Sequence, residues 1–188
     1  DPARVRTRLA ATKARGGLLA LYTGGTLAHE ARLVLEPLLG PVAGNVGPAS
    51  AASPHRVLDL GADEFTRGRP HPMIDPSARD VRVREAGRLP DVGVLLLDVV
   101  LGRAVHPDPA GSLAAAIRDA RHDAERDGRT LLTVASVVGT DRDPQGLAAQ
   151  IGALEAAGAE VLPSNAQAAR FAALALEPAL ASTLLGGT

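Results

Sequence analysis

The chain has 188 residues, with 20 lysine and arginine against 21 aspartate and glutamate, and no cysteine. That length fits one domain, burying roughly 70% of the surface its unfolded form exposes. The missing cysteine excludes disulfides, thiolate nucleophiles and Cys-type zinc sites, and fits a reducing cytoplasm. A net charge of -1 and 2% aromatic residues leave neither the basic footprint nor the stacking surface of a nucleic-acid binder.

No apolar run approaches the roughly 18 residues of a membrane span, and the first residues form neither a signal peptide nor a lipidation motif. Lys13 is the sole lysine, and it stands outside any Gly-Lys-Thr/Ser context, which excludes a Walker-type nucleotide site. The chain opens at Asp1 rather than Met, and residues 2–15 read as a charged connecting helix, an opening that fits a piece of something longer. Residues 1–16 are therefore taken as a connecting helix or linker, 17–178 as the domain and 179–188 as a tail.

From there apolar strand-like runs alternate with amphipathic helical ones, the pattern of a parallel sheet covered on both faces. The predicted strands are Leu18–Tyr22, Val57–Leu60, Val92–Asp98, Thr130–Val138 and Glu160–Leu162. In the third helix Leu113, Ala116, Ile117, Ala120 and Ala124 share one stripe, and in the fourth Leu147, Ile151 and Leu154 do so. Asp75-Pro76, Asp108-Pro109 and Asp143-Pro144 each place a capping acceptor before a proline, and Ser164 with Gln167 forms a capping box. Gly40–Pro54, rich in Gly, Pro, Ala and Ser, reads as a flexible loop. The expected fold is α/β: a flavodoxin-like three-layer sandwich with a five-stranded parallel sheet in order 2-1-3-4-5.

Such a sheet binds ligand outside the carboxyl ends of its strands. The segments there hold the reactive side chains: TGGT at 23–26, ADEFTRGRPHP at 62–72, LGRAVHPDPAG at 101–111, VGTDRDPQG at 138–146 and PSN at 163–165. The segments before the strands are bland. Three helix starts carry aspartates that oppose a second negative charge, whereas Thr23 to Thr26 offers glycine-rich backbone with no acidic cap, suited to phosphate or carboxylate. Gly24, Gly25 and Thr26 are the expected anion cradle. Arg67 and Arg69 are expected to neutralise its charge, and His71 or His106 to donate a hydrogen bond. Gly68 lets the backbone approach, and Pro70 and Pro72 stiffen the loop.

Each residue also has a plainer reading. Thr23–Thr26 can serve as a tight turn, and Arg67 and Arg69 can pair with Asp63 and Glu64 at the surface. His29 reads as structural or solvated, His55 and His122 as without a role, and the charges of 118–129 as a solvated helix face.

The stretches LYTGGTLAHEA, DLGADEFTRGRPHPMIDP, LLLDVVLGRAVHPDPAG and VVGTDRDPQGLAAQIGALEAAGAEVLPSNAQAARFA, in that order from about residue 17, resemble the FdrA family of acyl-CoA synthetase-like proteins. The resemblance implies a domain similar to the flavodoxin-like CoA-ligase domain of succinyl-CoA synthetase. There an acyl phosphate exchanges its phosphoryl group with an active-site histidine before CoA takes the acyl group. This chain departs from that pattern, because the matching strand end reads SVVGTDRDPQG without a histidine. These 188 residues also include neither an ATP-grasp domain nor a nucleotide-fold CoA-binding domain. The resemblance further implies a subunit of a carbamoyl-transferring system, similar to oxamate carbamoyltransferase, since carbamoyl phosphate is itself an acyl phosphate.

The main functional expectation is acyl-phosphate chemistry as a subunit of a carbamoyltransferase; its alternatives are a succinyl-CoA synthetase-like acyl-CoA synthetase domain and a non-catalytic binding and assembly module. Expected ligands are CoA or carbamoyl phosphate and phosphate, with no metal indicated. Expected partners are a small anionic substrate and a companion subunit or CoA-binding domain, with a homo-oligomer left open, and neither nucleic acid nor membrane.

Overall fold

Gly17–Tyr22 (β1) lies at the centre of a sheet, and its side chains divide between two cores. Leu19 and Leu21 enter one hydrophobic cluster, while Leu18, Ala20 and Tyr22 enter the other. Both faces are covered, so the strand is a continuous apolar run rather than an alternating one. The structure is a computed structural model that describes residues 2–10, 14–48 and 52–185. Lys13, parts of the expected linker and tail, and the middle of the Gly40–Pro54 loop lie outside the described residues.

In chain order the elements are α1 (Pro2–Ala10), β1, α2 (Gly25–Leu39), β2 (Ala43–Gly44), β3 (Arg56–Asp59), α3 (Asp63–Thr66), α4 (Ser77–Ala86), β4 (Val92–Val100), α5 (Pro109–Arg126), β5 (Leu132–Val138), α6 (Leu147–Ala156), β6 (Glu160–Leu162) and α7 (Asn165–Leu176). A 3-10 turn (Pro178–Leu180) and α8 (Ala181–Leu184) follow. The sheet order is β2-β3-β1-β4-β5-β6, and every pairing is parallel. The five strands expected from sequence take their expected order, in a flavodoxin-like α/β sandwich.

The sheet has six strands rather than five. The sixth, β2, is a two-residue edge strand inside the segment read as a flexible loop, with Ala43 opposite Arg56 and Gly44 opposite Val57. Asn45 next to it receives the Asp59 amide at 2.8 Å and donates to the Asp59 carbonyl at 2.9 Å. Arg32 reaches the Val46 carbonyl from α2. Two residues show no periodicity, so glycine and proline content dominated the reading of this stretch.

Helices α4, α5 and α6 cover one face and α2 and α7 the other, as the two core clusters show. The α5 stripe of Leu113, Ala116, Ile117, Ala120 and Ala124 is fully buried, and truncating Leu113 to alanine costs about 2–5 kcal/mol. In α6 Leu154 is fully buried, with Leu147 and Ile151 at the margin. Val5 and Leu9 of α1 pack against the α2–α7 cluster, and Arg8 pairs with Glu160 at 3.0 Å. Among the described residues no helix is long and apolar enough to cross a membrane.

Candidate functional site

Where β1 ends, Thr23 is fixed before α2 begins. Its backbone N–H donates to Asp98 Oδ1 at 2.9 Å and its hydroxyl to Asp98 Oδ2 at 2.6 Å. Asp98 belongs to the neighbouring strand β4 and is 0% exposed. On its other side Arg79 of α4 donates from Nη1 to the Asp98 carbonyl at 2.7 Å and to Oδ1 at 3.3 Å. Burial pushes the Asp98 carboxyl up and pulls the Arg79 guanidinium down, while their mutual attraction opposes both shifts. A carboxylate taken out of water thus holds one loop residue at two points and is itself braced by a buried guanidinium.

Beyond Thr23, α2 starts at Gly25 with Gly24 as its N-cap in extended conformation, and no side chain caps it. Its first residues lie toward the surface, so their amides can meet a ligand or partner. The loop after β3 closes over this turn. At Gly61 an added Cβ would stand 2.5 Å from His71 Nε2, 2.7 Å from the Thr23 carbonyl and 3.1 Å from Asp59 Oδ1. Only glycine admits these three groups so close to the backbone. Met73 approaches Gly24 in the same way, its Cε lying 3.1 Å from where a Cβ would be.

No acidic side chain caps this helix start, yet a carboxylate from another strand lies close to it. Asp59, the last residue of β3, brings Oδ2 to 3.1 Å from the Cβ position of Gly25, and its Oδ1 accepts the Gly61 N–H at 2.8 Å. The carboxylate comes from the adjacent strand, 34 positions away in a different segment, so inspection of the helix start alone misses it. The site therefore combines uncapped amides, one carboxylate and one imidazole.

His71 and His106 adopt the same local device. Each ring Nδ1 accepts the amide two residues on, His71 from Met73 at 3.3 Å and His106 from Asp108 at 3.1 Å. Accepting at Nδ1 leaves Nε2 as the nitrogen that carries the proton in the neutral ring. The two loops are joined through the His106 N–H, which donates to the Met73 carbonyl at 2.7 Å. Gln145 adds a clamp, donating to the Gly102 carbonyl at 2.7 Å and the His106 carbonyl at 3.2 Å.

The caps fare unevenly. Asp108 caps α5 by accepting the Gly111 N–H at 3.1 Å, with Pro109 at the first helical position, and Ser164 caps α7 by accepting from Gln167 at 3.3 Å. Asp75 accepts the Ser77 amide at 3.0 Å from two residues before α4 begins, with Pro76 between them. Asp143 does not cap α6. It turns back to accept the Thr140 amide at 2.6 Å, and Gly146 precedes the helix instead.

Arg67 ends α3 and Arg69 lies beyond it, both exposed. Among the described residues neither pairs with Asp63 or Glu64; Glu64 accepts instead from Asn45 at 2.7 Å. Arg69 lines a cleft against α4 with Pro70, Ala78 and Arg82, whereas His71 is brought to the Thr23 turn. His29 and His122 are exposed. His55, read as without a role, accepts the Leu18 amide at 3.3 Å, and burial lowers its pKa. Among the described residues no group of histidines and carboxylates could hold a metal ion.

Asp59, Asp98, Arg79 and Met73 complete the site and were not singled out beforehand. An aspartate within the apolar run VGVLLLDVV is a signal that could have been read, since a buried charge demands a partner. Arg79, in a charged helical stretch, offers no such signal.

Comparison with known proteins adds two findings. A family model described as CoA-ligase matches residues 21–175. The chain is also 40% identical over 138 residues to the Uncharacterized protein YahF of Escherichia coli (strain K12), an alignment covering 69% of this chain and 27% of that protein. The chain thus spans about a quarter of the length of this curated relative.

Proposed function

The chain belongs to the CoA-ligase family, and from there we propose that it is the half of an acyl-CoA ligase that lacks the phosphorylated histidine, working against a companion domain that carries it. In chemistry of the succinyl-CoA synthetase kind, an acyl phosphate passes its phosphoryl group to histidine and departs as a carboxylate. In this reading the Thr23–Thr26 turn and the start of α2 receive the phosphoryl oxygens, and His71 Nε2–H stands ready as a further donor. The observation that carries it is the uncapped α2 N-terminus beside a Thr23 held at two points by Asp98.

Two further observations support a companion. The loop Gly139–Gly146 after β5 contains no histidine, and the same rim exposes Ile74 and Val138. The FdrA-like form of the ligase is the finer version of this proposal and rests on the order of the four sequence blocks. The family match favours the ligase over carbamoyl transfer, and no residue of the site selects a carbamoyl over another acyl phosphate.

The test is to assemble the protein with a histidine-bearing CoA-ligase domain and supply an acyl-CoA with phosphate. The expected result is phosphate on the companion's histidine, lost when Gly25→Asp places a carboxylate at the α2 start. Phosphate on His71 or His106 of this chain would contradict the proposal.

A further inference from the structure

Tyr22 and Leu27 flank the glycine turn, and one buried side chain from another helix touches both. Asn165 is the first residue of α7 and is 3% exposed. Ser164 already caps that helix. The Asn165 amide reaches instead to α2, which covers the same face of the sheet. Its Oδ1 accepts from the Tyr22 hydroxyl at 2.6 Å, while Nδ2 donates to the Leu27 carbonyl at 2.9 Å and to Glu30 Oε2 at 2.7 Å. A carbonyl and a carboxylate can only accept, so they fix which end of the amide carries the protons. Burial, with the Asp98 and Glu30 carboxylates nearby, pushes the Tyr22 phenol well above its ordinary pKa and keeps it a donor.

The segment between these contacts carries the proposed cradle. Gly24 and Gly25 give it the least restricted backbone a chain can have, and ordering such a backbone around an anion costs conformational entropy. Fixed flanks lower that cost, because less freedom remains to be lost on binding. Asp98 holds Thr23 on the strand side. On the helix side Asn165 holds the Leu27 carbonyl, and through Tyr22 the same amide is tied to the end of β1.

We propose that Asn165 is a positioning residue for the anion cradle: it fixes the Tyr22–Leu27 segment so that the Gly24, Gly25 and Thr26 amides are set to receive phosphoryl oxygens, without touching the anion itself. The proposal rests on the phosphoryl reading of this turn. A purely structural asparagine would change stability alone, whereas a positioning one changes the affinity of amides it does not contact.

Amide proton–nitrogen spectra of the chain titrated with inorganic phosphate distinguish these roles. Asn165→Ala should weaken phosphate binding, read from the Gly24 to Thr26 resonances, by about threefold to tenfold, the worth of one hydrogen bond. In the phosphate-free variant the relaxation of those amides should show added motion on the ps–ns timescale. Tyr22→Phe removes only the bond that orients the Asn165 amide and should weaken binding less. Leu113→Ala, a truncation in the core of the opposite face, should destabilise the fold and leave the affinity unchanged. Equal affinity in Asn165→Ala and the natural chain, or an equal loss in Leu113→Ala, would overturn the proposal. Should Asn165→Ala fail to fold, Tyr22→Phe carries the test, and undiminished affinity there overturns it. A natural chain whose turn amides ignore phosphate would overturn the phosphoryl reading itself, and this proposal with it.

Discussion

Asp98 grips Thr23 with both carboxylate oxygens, one on the backbone N–H at 2.9 Å and one on the hydroxyl at 2.6 Å. A residue in the middle of a buried strand thereby sets the geometry of the turn that begins α2. Thr23→Val keeps the shape and removes the hydroxyl, leaving Asp98 Oδ2 buried without a donor. The cost should be about 1–3 kcal/mol, read from urea unfolding, and an unchanged midpoint would show that the hydroxyl contributes nothing.

The Arg79–Asp98 pair, at 3.3 Å and 1% and 0% side-chain exposure, should respond asymmetrically. Arg79→Met strands a buried carboxylate and should cost about 3–5 kcal/mol. Pairing it with Asp98→Asn removes that charge, so the double variant should be more stable than the sum of the single losses. Additive losses in a double-mutant cycle would mean that the two side chains are uncoupled.

Much of this framework was legible beforehand. Apolar runs such as VGVLLLDVV and the α5 stripe marked the strands and the faces they bury, because burial on both sides of a sheet leaves a continuous signal, while the strand order came with the flavodoxin-like fold. The edge strand at Ala43–Gly44 was not legible, since two small residues carry no period. At the site, the glycine turn and His71 are visible in sequence, but Asp59 and Asp98 act on that turn from other strands. Local sequence cannot show contacts created by the sheet register.

Asp80 gives a pH-dependent expectation. Burial raises its carboxyl pKa, partly offset by the Ser112 hydroxyl and Arg79, and its Oδ1 has no partner. A folded-state pKa above the unfolded value makes this group's contribution most favourable below the unfolded pKa, and that contribution is lost as pH rises through the folded pKa. Asp80→Asn cannot ionise, so its stability relative to the natural chain should improve from acidic to neutral pH. Unfolding curves at both ends of that window give the comparison, and a constant difference would contradict it.

Gly61 is the point where His71, the Thr23 carbonyl and Asp59 converge. Gly61→Ala should displace His71 from the turn and cost about 1–3 kcal/mol through overpacking. The displacement is visible as a changed His71 ring resonance; an unmoved ring would show that the turn and the histidine are not packed together.

Asp59 opposes an anion at the start of α2. Asp59→Asn should tighten phosphate binding there by about 0.3–1 kcal/mol, provided the Asn45 hydrogen bonds to the Asp59 backbone persist. Weaker binding would instead make the carboxylate part of the site's attraction.

The decisive measurement is an amide proton–nitrogen correlation spectrum of the chain titrated with inorganic phosphate. If the Thr23 turn receives phosphoryl oxygens, the amides of Gly24, Gly25 and Thr26 move together and saturate, and Gly25→Asp abolishes the movement. If those amides stay still while resonances elsewhere shift, phosphate does not dwell at the α2 N-terminus and the proposed role in acyl-phosphate chemistry fails.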